Sequence, residues 1–329
     1  MTSGNGKDVD RAIAAALQVN GRASWGAVAR ALDIPERTAA RRGQRLLDDG
    51  TVRVSTYLDV ARVAHARGIL LRAEIETRRV HEVAAILAHR ADASSVSILE
   101  GSGNIAGYFL PPDPDALNRF LFRDLPDLTG LISFDVGTVL KLHRSGYDWN
   151  AGGLPDHVVQ QLTEGLWTAD RTVNANVHID DTDRQLIDLL AIDGRAAISS
   201  LATDVGVSAQ TARRKVDALF SSGVLHVRTE VTPAIFGLSV EAVMWLRAPS
   251  ALSDELGRAL GAHRSVRFCA SSTGHASFLI DVLVEDEDEL YAFQTDVIGR
   301  FPDVQIDEAR IVMQAVRRGP LLVLDSPAS

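Results

Sequence analysis

Cysteine is nearly absent from the chain: Cys269 is the only one in 329 residues. One thiol forms no intramolecular disulfide and, from this chain alone, no thiolate metal cluster. In the alternating run VRFCASS it reads as a buried strand residue. Long apolar runs are also missing, with nothing approaching the ~18 residues that a membrane helix needs. The opening residues MTSGNGKDVDR contain no cationic head followed by an apolar stretch, so the chain reads as soluble, unexported and cytoplasmic, without a membrane partner. Positive charge is in deficit. Lys and Arg number 34 against 43 Asp and Glu, a formal net charge of −9. That excludes a uniformly basic coat for nucleic acid and confines any phosphate contact to local clusters. The usual catalytic signatures are lacking as well: no GxSxG, no phosphate loop ending in GK[ST], no HExxH, no glycine fingerprint opening a helix after a strand. No catalytic residue, metal ligand set or cofactor is therefore expected.

What is present is a duplication, and repeats decide how everything else is parsed. Shifting the sequence by 173 positions lays Asp10–Val54 on Asp183–Val227 without a gap, and 13 of the 45 pairs are identical. Among them are Asp10/Asp183, Gly21/Gly194, Arg22/Arg195, Thr38/Thr211, Arg41/Arg214 and Gly50/Gly223.

Each copy reads as three short helices and a strand. Ile13, Ala16 and Leu17, like Leu186, Leu189 and Leu190, recur at three- and four-residue spacing and predict a first amphipathic helix, broken by Gly21-Arg22 or Gly194-Arg195. Val28, Ala29 and Leu32, or Leu201, Ala202 and Val205, carry a second. The third starts near Pro35, by the proline's fixed φ or by Asp33, and near the N-cap Ser208, and it stops at Gly50 or Gly223. Ala39, Gly43 and Leu46, or Ala212, Val216 and Leu219, face inward. Left outside are Arg37, Thr38, Arg41, Arg42 and Arg45, and in the second copy Gln210, Thr211, Arg213, Arg214 and Lys215. TVRVSTYL and VLHVRTEV alternate as strands and predict a wing. A trihelical unit with a cationic outer third helix is what a helix-turn-helix offers a major groove. Eight Arg against five acids in the first head, and five basic residues against five acids in the second, predict that the first head supplies more of the phosphate attraction.

After each wing the same order recurs. GILLRAEI, RRVHEVAAILAHR, SVSILEGSG, NIAGYFLPP, DPDALNRFLFRDL and LISFDVGTVLKLH read βαββαβ, and so do SVEAVMWLRAP through IDEARIVMQAVRR. Two interleaved βαβ units make a ferredoxin-like sheet with helices on one face. Its other face is also apolar, which predicts sheet-to-sheet packing supplied by the two copies. The expected organisation is α+β, with two winged helix-turn-helix domains (1–56 and 179–232), two ferredoxin-like domains (57–146 and 233–329) and a linker at 147–178 in which DHVVQQLTEGL has helical spacing.

These residues resemble the Lrp/AsnC family of regulators. The resemblance is carried by the DxDRxLIxLLxxDGR opening at Asp181–Arg195, by LATDVGVSAQTARRKVDAL with its following GVL turn, and by the βαββαβ domain, known in that family as RAM. It implies a transcriptional regulator that binds double-stranded DNA, pairs with itself into dimers or higher oligomers through RAM sheets, and takes a small-molecule effector, often an amino acid. Carried over, the effector turns are Gly101, Ser102, Gly103 and Asn104, and Ser272, Thr273, Gly274 and His275. The acidic residue often found three positions after the turn glycine is replaced here by Ala106 and Ser277. For the turn glycines themselves, a tight hairpin needing positive φ is the simpler reading. Some tandem proteins of this architecture resemble siroheme decarboxylases. On that alternative His143, Arg144, His263, Arg264 and His275 are the candidates for holding a tetrapyrrole.

Overall fold

The computed structural model describes residues 4–59, 67–164, 179–319 and 321–323. Among these the chain runs α1 (Gly4–Val19), α2 (Trp25–Leu32), α3 (Glu36–Asp48), β1 (Val52–Leu58), β2 (Ile69–Ile75), α4 (Val80–Ala88), β3 (Ala93–Leu99), β4 (Ile105–Phe109), α5 (Pro114–Arg119), β5 (Leu131–Arg144) and α6 (Asp156–Thr163). The second half follows as α7 (Asp181–Ile192), α8 (Ile198–Val205), α9 (Ala209–Ser221), β6 (Leu225–Val231), β7 (Val240–Arg247), α10 (Ser253–Ala262), β8 (Val266–Ser272), β9 (Phe278–Val284), α11 (Glu287–Ala292), β10 (Gln305–Arg318) and β11 (Leu321–Leu322). No helix among the described residues is long and apolar enough to cross a membrane.

The helix boundaries follow local chemistry. The Ser208 hydroxyl accepts the Thr211 N–H and starts α9, while Asp180 and Asp183 form a reciprocal capping box on α7. Pro35 stands at the cap of α3 with φ −59° and no side-chain hydrogen bond. Asp33 does not share that task. It ends α2 in the left-handed region at φ 50°, so the proline's fixed φ alone sets the start of α3. Gly50 and Gly223 follow the third helices at φ +74° and +68°, where a side chain would be strained.

One compact unit lies within residues 1–63 and 150–236. It holds both trihelical heads. Ile13, Leu17, Val28, Ala39 and Leu46 are buried in the first, and Leu186, Leu190, Leu201, Val216 and Leu219 in the second. The strand expected after each third helix forms, but its partner is the other head's strand rather than a hairpin of its own. β1 pairs antiparallel with β6 from Val52↔Val231 to Leu58↔Leu225. A ribbon therefore joins the heads. The linker helix forms as α6, burying Val158 and Leu162, and Asn20 donates to the Leu162 carbonyl at 2.9 Å. Residues 165–178 of the expected linker lie outside the described residues.

The other unit lies within residues 64–149 and 237–329. Each half has the ferredoxin-like strand order, β5-β2-β4-β3 and β10-β7-β9-β8. Helices cover the outer faces: Val83, Leu87, Phe109 and Phe120 lie in one outer core, Leu256, Leu260, Phe278 and Phe293 in the other. Leu70, Leu99, Ala106, Val243, Trp245 and Leu279 fill the space between the sheets, so the expected sheet-to-sheet packing is internal to the chain. The halves are also continuous in hydrogen bonding. β5 pairs with β2 through Leu131–Thr138 and with β8 through Val139–Arg144. β10 pairs with β7 through Gln305–Ile311 and with β3 through Val312–Arg318. Eight strands thus close on themselves, which satisfies the sheet edges that open strands would expose. Cys269 is buried in this unit, and burial pushes its thiol up to about 12.

Candidate nucleic-acid interface

The third helices present their polar faces outward because Ala39, Gly43 and Leu46, and Ala212, Val216 and Leu219, are buried against their own heads. Gly43 lies under the Trp25 ring, where a Cβ would overlap the indole. On α3 the exposed cations Arg37 and Arg41 are four residues apart and so share a face. On α9 Gln210, Arg213 and Arg214 are exposed. None of these five makes a side-chain hydrogen bond or ion pair among the described residues. Thr38 and Thr211 are half-buried, and the Thr211 hydroxyl lies 2.9 Å from that of Ser208.

Three further cations, expected on the same faces, are engaged inside the protein. Arg42 donates to Asp10 at 2.7 Å and to the Gly6 carbonyl at 3.1 Å. Arg45, though exposed, pairs with the other oxygen of Asp10. At the equivalent place in the second head, Lys215 bonds Asp180 at 2.6 Å and Asp183 at 3.0 Å. These bonds raise the Lys215 pKa, and they hold Asp180 down at about 2. Positions 10 and 42 thus do in one head what 183 and 215 do in the other, tying the first helix to the third. The greater cationic surplus of the first head, read from its Arg count, does not survive on these faces: among the described residues each third helix keeps two unpartnered arginines.

The Gly-Arg dipeptides do more than end a helix. The Arg22 guanidinium donates to the carbonyls of Gly194 and, at 3.4 Å, Ala196. The Arg195 guanidinium donates to those of Gly21 and, at 2.9 Å, Ala23. Asn20 and Asp193 each accept the N–H of the arginine two residues on, at 3.1 and 2.8 Å. Gly194 donates its N–H to the Val54 carbonyl at 2.9 Å, and a Cβ there would lie 2.8 Å from the Ser55 carbonyl. Burial lowers the pKa of both arginines. Ribbon and clamp together fix one head against the other.

Comparison with known proteins fits this geometry. The model of the AsnC-type helix-turn-helix domain matches residues 8–47 and again 179–219, and that of the Lrp/AsnC ligand binding domain matches 241–322. The HTH-type transcriptional regulator LrpA of Mycobacterium tuberculosis is 34% identical over 112 residues, which span 33% of this chain and 74% of LrpA. The chain belongs to the Lrp/AsnC family. The HTH-type transcriptional regulator FL11 of Pyrococcus abyssi is 26% identical over 139 residues, 42% of this chain and 91% of FL11, so this Lrp/AsnC chain is more than twice the length of the matched region. Among solved structures, that of the siroheme decarboxylase NirDL in co-complex with an iron-uroporphyrin III analogue superposes with TM-score 0.59 at 12% identity, covering 92% of this chain and 88% of that one. That likeness is one of fold.

With the family established, its two RAM turns can be placed. Gly101, Gly103 and Gly274 have φ of +73°, +64° and +104°, as tight hairpins require. Asn104 is buried and bonds the Ile75 backbone both ways, at 2.9 and 2.7 Å. Thr273 accepts the Thr138 N–H on its hydroxyl at 2.9 Å. Ser102 lies at 3.5 Å from Arg310, and Ser272 reaches the Ala276 carbonyl at 3.3 Å. His275 is exposed and pairs with Asp307 at 3.1 Å. Each turn thus packs on the long strand of the other half, β10 or β5. Ala106 faces the apolar space between the sheets, and the Ser277 hydroxyl accepts the Ala248 N–H at 2.8 Å.

The tetrapyrrole candidates are engaged elsewhere. Arg144 donates to the carbonyls of Gly261 and His263, at 3.1 and 2.9 Å. The His143 ring stacks on Phe278, and the His263 ring meets the Phe293 edge while accepting the Ser265 N–H. Burial lowers both histidine pKa values. Arg264 pairs with Glu289 at 2.9 Å.

Proposed function

We propose that the chain is a sequence-specific, DNA-binding transcriptional regulator of the Lrp/AsnC type, with α3 and α9 as its two recognition helices. The observation that carries this is the exposed set Arg37, Arg41, Gln210, Arg213 and Arg214, without partners among the described residues, on the third helices of two matched helix-turn-helix heads. Guanidinium groups free of protein partners are available to phosphates and guanine edges. Thr38 and Thr211 stand beside them, and Arg45 is near enough to the surface to exchange Asp10 for a phosphate. Arg42 and Lys215 hold their heads together instead. The negative net charge confines the contact to these helices. The protein acts in the cytoplasm on double-stranded DNA, assembles with further copies of itself, and binds a small effector at the hairpin turns against the long strands.

Footprinting of the purified protein on the DNA upstream of its own reading frame, over a salt series, tests this reading. Protection of a discrete site, with affinity falling steeply as salt rises, is expected. Protection of no site, or of all sequences equally, overturns it.

A siroheme decarboxylase activity is the competing reading, favoured by the shared fold over 92% of the chain. The engagement of His143, Arg144, His263 and Arg264 within the protein speaks against it. Mixing the protein with siroheme separates the two: the regulator reading expects neither a shifted Soret band nor loss of carboxylate.

A further inference from the structure

We propose that the two heads read different base pairs, and that positions 37 and 210 set the difference, with guanine under Arg37 and adenine under Gln210. The inference rests on the DNA-binding reading above and deepens it.

The two positions are equivalent, 173 residues apart, and each is the second residue of its third helix. Both side chains are exposed, and neither has a partner among the described residues. Residues at the N-terminal end of a recognition helix are the ones that reach base edges. There an arginine fork matches the O6 and N7 acceptors of guanine, whereas a carboxamide matches the N6 donor and N7 acceptor of adenine. The neighbouring outward positions do not differ in the same way. Thr38 is matched by Thr211 and Arg41 by Arg214, so most of each face makes the same contacts. Arg213 replaces Ala40 one turn further along, where an extra cation suits a phosphate better than a base.

The difference matters because the chain cannot present two equal heads. The β1–β6 ribbon is fixed in register, and Arg22 and Arg195 hold each head to the other. Every unit therefore carries one Arg37 and one Gln210. A symmetric dimer of identical subunits mirrors its two-fold axis in a palindromic operator. This chain instead selects an inverted repeat whose half-sites agree at most positions and disagree at one base pair.

Selection from a randomised DNA library tests the inference with the wild-type chain, Arg37→Gln and Gln210→Arg. Both substitutions fall at exposed positions without partners among the described residues, and unchanged circular dichroism and melting temperature verify folding. The wild type is expected to enrich paired half-sites with G·C in one and A·T in the other. Arg37→Gln makes both A·T, and Gln210→Arg makes both G·C. Each swap shifts preference at that base pair by roughly tenfold or more. Wild-type enrichment of a perfect palindrome, or identical motifs from all three proteins, overturns the proposal while leaving DNA binding intact. Enrichment of no sequence by the folded wild type overturns both it and the reading on which it rests.

Discussion

Arg22 and Arg195, 173 residues apart in the sequence, each hold two backbone carbonyls of the head to which the other belongs. The sheet unit repeats the device at the same offset. Arg144 on β5 bonds the carbonyls of Gly261 and His263, and Arg317 on β10 bonds those of Ala88 and Arg90. In both cases an arginine from one copy closes the last turn or loop of a helix in the other. A guanidinium suits that task because it offers several donors in a fixed plane and stays charged when partly buried.

Replacing Arg22 or Arg195 with alanine leaves two part-buried carbonyls without donors. Each substitution is expected to cost about 2–3 kcal/mol in urea unfolding. The double variant is expected to lose more than the sum, because each single substitution also relieves the repulsion between the two positive charges and the double variant gains that relief only once. Strict additivity in a double-mutant cycle would show that the two act independently.

The latch and the reading face should separate by experiment. Arg42→Ala removes a bond to an Asp10 side chain that is 14% exposed, and it is expected to lower stability by on the order of 1 kcal/mol with little change in the salt dependence of DNA binding. Lys215→Ala should behave in the same direction. Arg41→Ala and Arg214→Ala should leave the unfolding midpoint in place and reduce the salt slope by about one each.

A proton site inside the sheet unit makes a prediction about pH. Asp281 is half-buried, with its side chain 18% exposed, and desolvation together with the neighbouring Glu241 carboxylate pushes its pKa up to about 7, against the opposing pull of Arg267 at 3.7 Å and of Arg318. An acid whose pKa is higher folded than unfolded holds its proton in the native state. Between its unfolded value near 4 and about 7 the native state therefore binds more protons than the unfolded chain, and stability falls as pH rises through that window. Asp281→Asn cannot ionise. The melting temperature of the variant minus that of the wild type should climb from pH 4 to pH 7 and then level off. A difference that stays flat across that range would contradict the assignment.

Much of the architecture was legible because it depends on patterns within one copy. Three- and four-residue spacing gave the trihelical heads, alternation gave the βαββαβ order, and Gly50, Gly223 and Ser208 marked helix ends by chemistry that acts locally. What alternation does not encode is the partner of a strand. TVRVSTYL and VLHVRTEV alternate as the strands of two wings would, yet β1 and β6 pair with each other, because either arrangement satisfies the same backbone donors. The site was half legible for a similar reason. Helical periodicity places Arg42 and Lys215 near the outer face but says nothing of Asp10 and Asp183, which lie 32 residues earlier in each copy. The signal was nonetheless present: an acid at 10 and 183 accompanied by a cation at 42 and 215 in both copies. The identical Gly-Arg pairs, read as helix breakers, carried the head-to-head clamp.

The central claim is that unpartnered side chains on α3 and α9 bind DNA. Its most direct test is fluorescence anisotropy with the enriched operator at fixed ionic strength, comparing the wild type with a variant carrying Arg37→Glu, Arg41→Glu, Arg213→Glu and Arg214→Glu. With circular dichroism unchanged, the variant is expected to lose at least 100-fold in affinity, as four phosphate or base contacts turn repulsive. Equal affinity of the two proteins for that operator would contradict the account.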